Sequence, residues 1–237
     1  VFAGVNRADF FAIVAAATIP PATNVAITAD ITIKRDASDL LAPLSVSIAV
    51  DNPTAHIVAL DFPTADIYRI DVLREGDEKA IWSTATGHKP LLIARRVDIA
   101  PGLTRLASQI VDGTTDDRRA YAPGKYVVHV AMLGKTLTTA IDKPISFNPP
   151  LSIADARKMP GGTVVTIAGV PQTEPGIFEL LDATGSIRLS RPLGLHPSGT
   201  YIVRGFLDAV GDDVQFAVGR FAPAFDNLDQ ARPKPTT

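Results

Sequence analysis

The clearest pattern along the chain is alternation. Val25, Ile27, Ala29, Ile31 and Ile33 recur at every second position with polar or small residues between them, the period of a strand with one buried face. Leu44, Val46, Ile48 and Val50 repeat the pattern and run into Asp51-Asn52-Pro53, a turn sequence. HIVALDFP, DIYRIDVLREG, KAIWSTATG, RRVDIAPG, LTRLASQIVDG and KYVVHVAMLG follow, closed by turn-forming residues. Short strands punctuated this often predict an antiparallel sandwich. No long segment of helical period competes with them.

The pattern changes at Pro149-Pro150, which stiffen the exit from the last of these strands. Ser152, with Asp155 three residues on, predicts an N-cap and a short helix over SIADARK that stops before Pro160. TVVTIAGVP, GIFELLDAT, GSIRLSR, GTYIVRGFLDAVG and DDVQFAVGRFAPA then predict five strands, which suit a small closed barrel. The expected fold is therefore all-β. An Ig-like antiparallel β-sandwich over residues 24–148 is followed by a five-stranded OB-type barrel over 151–225, with a short leading helix. An apolar arm, 1–23, precedes them, and a polar tail, 226–237, follows.

Two resemblances add to this reading. Leu60, Phe62, Tyr68, Ile70, Val72, Gly76, Trp82 and Ser83, with the later Pro123, Gly124, Tyr126, Val128 and Val130, resemble the BsuPI family of intracellular proteinase inhibitor domains. That resemblance implies an Ig-like sandwich and, as an alternative function, proteinase inhibition with a protease as partner. It carries no inhibitory loop that transfers residue by residue. Read without it, Trp82 is the anchor of the sandwich core. In the second block Ile153, Ala156, Arg157, Gly162, Gly169 and the turn Asp182-x-Thr184-Gly185-x-Ile187 resemble a bacterial OB-fold accessory module.

The OB resemblance implies a ligand face for oligosaccharide or oligonucleotide. Charge argues against nucleic acid. Residues 151–222 carry six Lys and Arg against seven Asp and Glu, and most of the aromatics lie in apolar strands. Glycan stays open as a ligand, and Arg188 and Arg191 beside the L-S-R-P turn are the candidate contacts for any ligand of the OB face, oligonucleotide included.

Composition narrows the chemistry further. There is no cysteine, so disulfides, thiolate metal sites and a cysteine nucleophile are excluded. A net charge of −2 gives no global attraction to phosphate backbones or anionic membranes. His56, His88, His129 and His196 lack metal-ligand spacing, and the acidic runs around Asp112, Asp116, Asp117 and Asp212, Asp213 lack calcium-loop spacing. No nucleophile elbow, phosphate loop or dinucleotide fingerprint occurs. The expectation is no enzyme, no cofactor and no metal. No run is long enough for a spanning helix. A first residue of Val1 rather than Met is read as signal-peptide removal, for a bacterial protein that is secreted, periplasmic or on the cell surface.

One segment is unaccounted for. DFFAIVAAATIPPA is apolar between Asp9 and Pro20-Pro21. It reads as a targeting remnant, as a helix that must be buried all round, or as a strand seeking a sheet edge. As a strand it packs on its own fold or adds to another subunit. Phe10, Phe11, Ile13, Val14 and Ile19 would make the contacts. The expected function is a structural or binding protein without catalysis, a surface or matrix filament subunit that self-assembles through this arm.

Overall fold

The computed structural model describes residues 27–35, 39–135, 137, 140–193, 199–210 and 213–224. The arm, with Phe10, Phe11, Ile13, Val14 and Ile19, lies outside the described residues, as do His196 and the tail.

The protein is nearly all β, as the alternation predicts. The strands before Pro149 are β1 (Thr28–Arg35), β2 (Leu44–Asn52), β3 (Val58–Phe62), β4 (Tyr68–Arg74), β5 (Ala80–Ser83), β6 (Arg95–Ile99), β7 (Gly102–Val111), β8 (Gly124–Met132) and β9 (Ala140–Phe147). They form antiparallel sheets in the orders β1-β2-β7 and β5-β4-β8-β9, with β3 and β6 paired separately. The inward sets Leu44, Val46, Ile48, Val50 and Tyr126, Val128, Val130, Met132 are buried in one core, so period two on each strand becomes one packed interior.

The aromatic centre of that core is not Trp82. Tyr121, Tyr126 and Phe147 pack ring against ring, with centroids 5.2–5.6 Å apart. Trp82 sits on the short edge strand β5 and is only half-buried, because an edge position has a neighbouring strand on one side alone. The Tyr126 hydroxyl donates to the Ala122 carbonyl, four residues upstream, at 2.7 Å. This is the tyrosine-corner geometry of immunoglobulin-type sandwiches, and it explains why Pro123-Gly124 precede Tyr126. Tyr121 is completely buried, and burial pushes its hydroxyl far above the ordinary tyrosine range.

After the prolines come α1 (Ile153–Ala156), β10 (Val164–Glu174), β11 (Ile177–Asp182), β12 (Gly185–Leu189), β13 (Tyr201–Val210) and β14 (Asp213–Pro223). The five strands close into a barrel in the order β10-β11-β12-β14-β13, with β12 and β14 parallel and the other pairs antiparallel. Ser152 caps α1 by accepting from the Asp155 N–H at 3.1 Å, as its position predicts. Asp182 accepts from the N–H groups of Thr184 and Gly185, which shapes the β11–β12 turn. Its second oxygen accepts from the Ile153 N–H at the start of α1. One carboxylate thereby fixes both the hairpin and the helix.

The barrel and the sandwich share a wall. Ile202, Ala222 and Ala224 of the barrel side join the sandwich core, and Thr166 donates to the buried Leu40 carbonyl at 3.3 Å. The Ala120 N–H donates to Pro223 at 2.9 Å. Leu41 and Gly113 meet here with positive φ values of 63° and 81°. A Cβ on Gly113 would lie 2.8 Å from the Leu41 Cα, so glycine is required by the close approach as well as by its conformation.

Candidate functional site: an open edge beside a cleft

A cleft of about 750 Å³ lies between β7 and the β4–β5 side of the sandwich. Its position follows from strand order. β6 pairs with β3 rather than with β7, so no described strand bridges β7 to β5. Tyr68 and Trp82 come from β4 and β5, Leu106 and Gln109 from β7, His88 from the β5–β6 segment and Arg95 from the start of β6. Both aromatic rings are half-buried, with core on one side and the cleft on the other.

Several polar groups around the cleft are paired. His88 Nε2 is 3.1 Å from Asp66 Oδ1. Arg69 Nε donates to Asp71 at 3.0 Å, and the Ser83 hydroxyl donates to the same Asp71 oxygen at 2.5 Å. Ser83 also accepts from the Ala85 N–H at 3.0 Å. Its hydroxyl is thus engaged as donor and acceptor, with an aspartate rather than a histidine as its partner. That arrangement ties β4 to β5 and does not resemble an activated nucleophile.

β7 itself is the second part of the site. It is ten residues long and, among the described residues, its backbone pairs only with β2. Exposed strand edges are usually guarded by charge or proline. The outer strand β1 carries Asp30, Lys34 and Arg35, and the outer strand β9 carries Asp142, Lys143 and Pro144. β5 is partly covered, because the Asp116 N–H donates to Ile81 at 3.0 Å. β7 has Arg105 alone, and it exposes Leu103 and Ile110 by 67% and 63%. It is the least guarded long edge of the described sandwich.

The two arginines singled out from the sequence do not converge on one surface. Arg188 is exposed on β12, opposite Glu179 of β11, which offsets its charge. Arg191 Nη2 donates to the Gly219 carbonyl at 3.0 Å, and its guanidinium stands 5.7 Å from the Phe221 ring centroid. It lines a separate groove of about 410 Å³ with Asp112 and Arg220, where the barrel meets the sandwich. The histidines are scattered too. His129 pairs with Asp142 at 2.6 Å on the outer face of β8. No group of three His, Asp or Glu side chains suited to a metal occurs among the described residues. Nor, among them, is any helix long and apolar enough to cross a membrane.

Sequence reasoning missed the cleft because its lining comes from segments far apart in the chain. One signal was present: Trp82 stands in a strand of four residues, too short to hide an indole on both sides. Comparison with protein-family models and with curated proteins gives no match for this chain, so its function must be argued from this cleft and the edge beside it.

Proposed function

We propose that the protein is a non-catalytic structural protein that assembles through its N-terminal apolar arm, as an extracytoplasmic surface or matrix filament subunit. The observation that carries this reading is the ten-residue edge of β7, which among the described residues is unguarded and lies beside an open cleft, in a chain whose sequence also holds the apolar run DFFAIVAAATIPPA. Apolar surface on both parts favours their meeting, at about 25 cal/mol for each Å² removed from water. A strand edge accepts a strand through main-chain hydrogen bonds, with alternate side chains entering the adjoining cleft. The BsuPI-like and OB-like modules are, on this reading, scaffold.

Light scattering tests it. The full chain is expected to form high-mass species whose population rises with concentration. Deleting residues 1–22 is expected to return it to the monomer mass with its melting temperature little changed. A full chain that stays monomeric at every accessible concentration rules the reading out.

Proteinase inhibition is kept as a second reading because of one loop. The segment from His88 to Ala94 belongs to no strand or helix, and it exposes Leu91 by 60%, Leu92 by 89% and Ile93 by 65%. The Ala65 N–H pins it by donating to the Leu91 carbonyl at 3.1 Å. A pinned, exposed, apolar loop suits a proteinase cleft. On this reading, stoichiometric inhibition of a serine proteinase is expected, lost in Leu92→Asp. Absence of inhibition across a proteinase panel removes it.

A further inference from the structure

The geometry points to the β7 cleft as the seat of the arm, and we infer that its occupant is the segment Phe10–Ile19 of a second copy of this chain. The inference rests on the assembly reading above and deepens it by naming the edge and the partner.

Length is the first argument. Asp9 opens the apolar segment and Pro20 closes it, since proline cannot donate to a ladder. The ten residues between them equal the ten residues of β7. The second argument is chemistry at both faces. A strand added to β7 directs alternate side chains into the cleft, towards Trp82, Tyr68 and Leu106, and the others beside Leu103 and Ile110. The arm is apolar at one parity, with Phe11, Ile13, Ala15, Ala17 and Ile19, and apolar but for Thr18 at the other, with Phe10, Ala12, Val14 and Ala16. An ordinary surface strand is polar at one parity, so this pattern fits a strand covered on both faces.

Charge is the third argument. Asp9 directly precedes the segment, and the cleft rim offers it Arg95, while Arg69 is paired with Asp71 and Asp66 with His88. The fourth concerns which copy supplies the arm. The arm joins the fold at β1, which lies across β2 from β7. Two strand spacings, roughly 10 Å, separate those edges. Pro20-Pro21 favour an extended, stiff departure from the arm, about 3.1 Å per residue. A copy's own arm must reverse within the few residues from Ala22 to Ala26 to lie on its own β7. Reaching a neighbour needs no reversal. The resulting contact is heterologous, with an arm on one side and an edge on the other, and such contacts propagate head to tail into filaments.

The absence of native cysteine makes the test clean. Full chains bearing Ala12→Cys, Ala15→Cys or Ala17→Cys are each mixed with full chains bearing Ser108→Cys and oxidised. In parallel they are mixed with chains bearing Thr32→Cys on β1 or Lys143→Cys on β9. The expected result is a reducible heterodimer with Ser108→Cys as the major product for at least one arm position, and none above background with the other two. Emission from Trp82, the only tryptophan, is expected to move to shorter wavelength over the concentration range in which mass rises.

If assembly persists but the arm links to β1, to β9 or to no tested strand, with Trp82 emission unmoved, the seat is wrong and the assembly reading stands. A chain carrying both Ala15→Cys and Ser108→Cys that closes within one monomer overturns the second-copy occupant. Failure to form high-mass species at all overturns the assembly reading itself.

Discussion

Gly205→Val is expected to lower the melting temperature by roughly 10 °C, corresponding to about 3 kcal/mol of overpacking. Gly205 is on β13, where the register slips between Arg204 and Gly205 and the facing strand β14 carries an extra residue. This bulge bends the ribbon so that β10, β13 and β14 can close the barrel. A Cβ here would collide with the Ala217 carbonyl and lie 2.7 Å from the Phe216 ring. Phe216 is fully buried in the barrel core, and the carbonyl belongs to the ladder, so neither can yield cheaply. Gly161→Val supplies the comparison. Its Cβ would meet nothing within 4 Å, and the substitution should leave melting nearly unchanged. Thermal unfolding followed by circular dichroism distinguishes the two. Equal melting temperatures for both variants would refute the packing argument.

Asp182→Ala is expected to cost about 2 kcal/mol, because a cap and a charged acceptor are lost together. Ile153, Thr184 and Gly185 all donate backbone N–H groups to this carboxylate, and the Thr184 hydroxyl adds another. Partial burial alone would raise its pKa. The hydrogen bonds from Thr184, Ile153 and Gly185 outweigh that and hold it below the usual 3.8. A carboxyl depressed in the folded state stabilises the protein at pH values above the unfolded pKa. That contribution disappears as pH falls through the lower folded value. The urea midpoint of the native chain should therefore fall more steeply than that of Asp182→Asn as pH drops from about 5 into the acid range. Parallel curves for the two proteins would show that this carboxylate is not linked to folding.

These two residues show how differently parts of the fold could be read from sequence. The Asp182-x-Thr184-Gly185 turn is legible because its bonds are local, and a short polar side chain three residues before a glycine has few alternatives. Ser152 is legible as an N-cap for the same reason. The alternation of Leu44, Val46, Ile48 and Val50 fixes a buried face, since period two allows no other. The role of Gly205 was not legible. Its neighbours Phe216 and Ala217 lie across a strand pair, and no local pattern states which carbonyl will approach which glycine.

The candidate site divides along the same line. Sequence alone determined that this is an all-β chain, that its strands turn particular faces inward, and that residues 10–19 are apolar but for Thr18. Those properties are set by side-chain chemistry and by the two-residue repeat of the extended backbone. Only the tertiary structure decided that Trp82 stands at the rim of a cleft rather than at the centre of the core, and that Tyr121, Tyr126 and Phe147 take the centre instead. It also decided that β6 pairs with β3 and that, among the described residues, β7 pairs with β2 alone. Every strand carries the same backbone donors and acceptors. Which strand remains unpaired is therefore settled by the packing of the whole domain, not by the residues of any one strand.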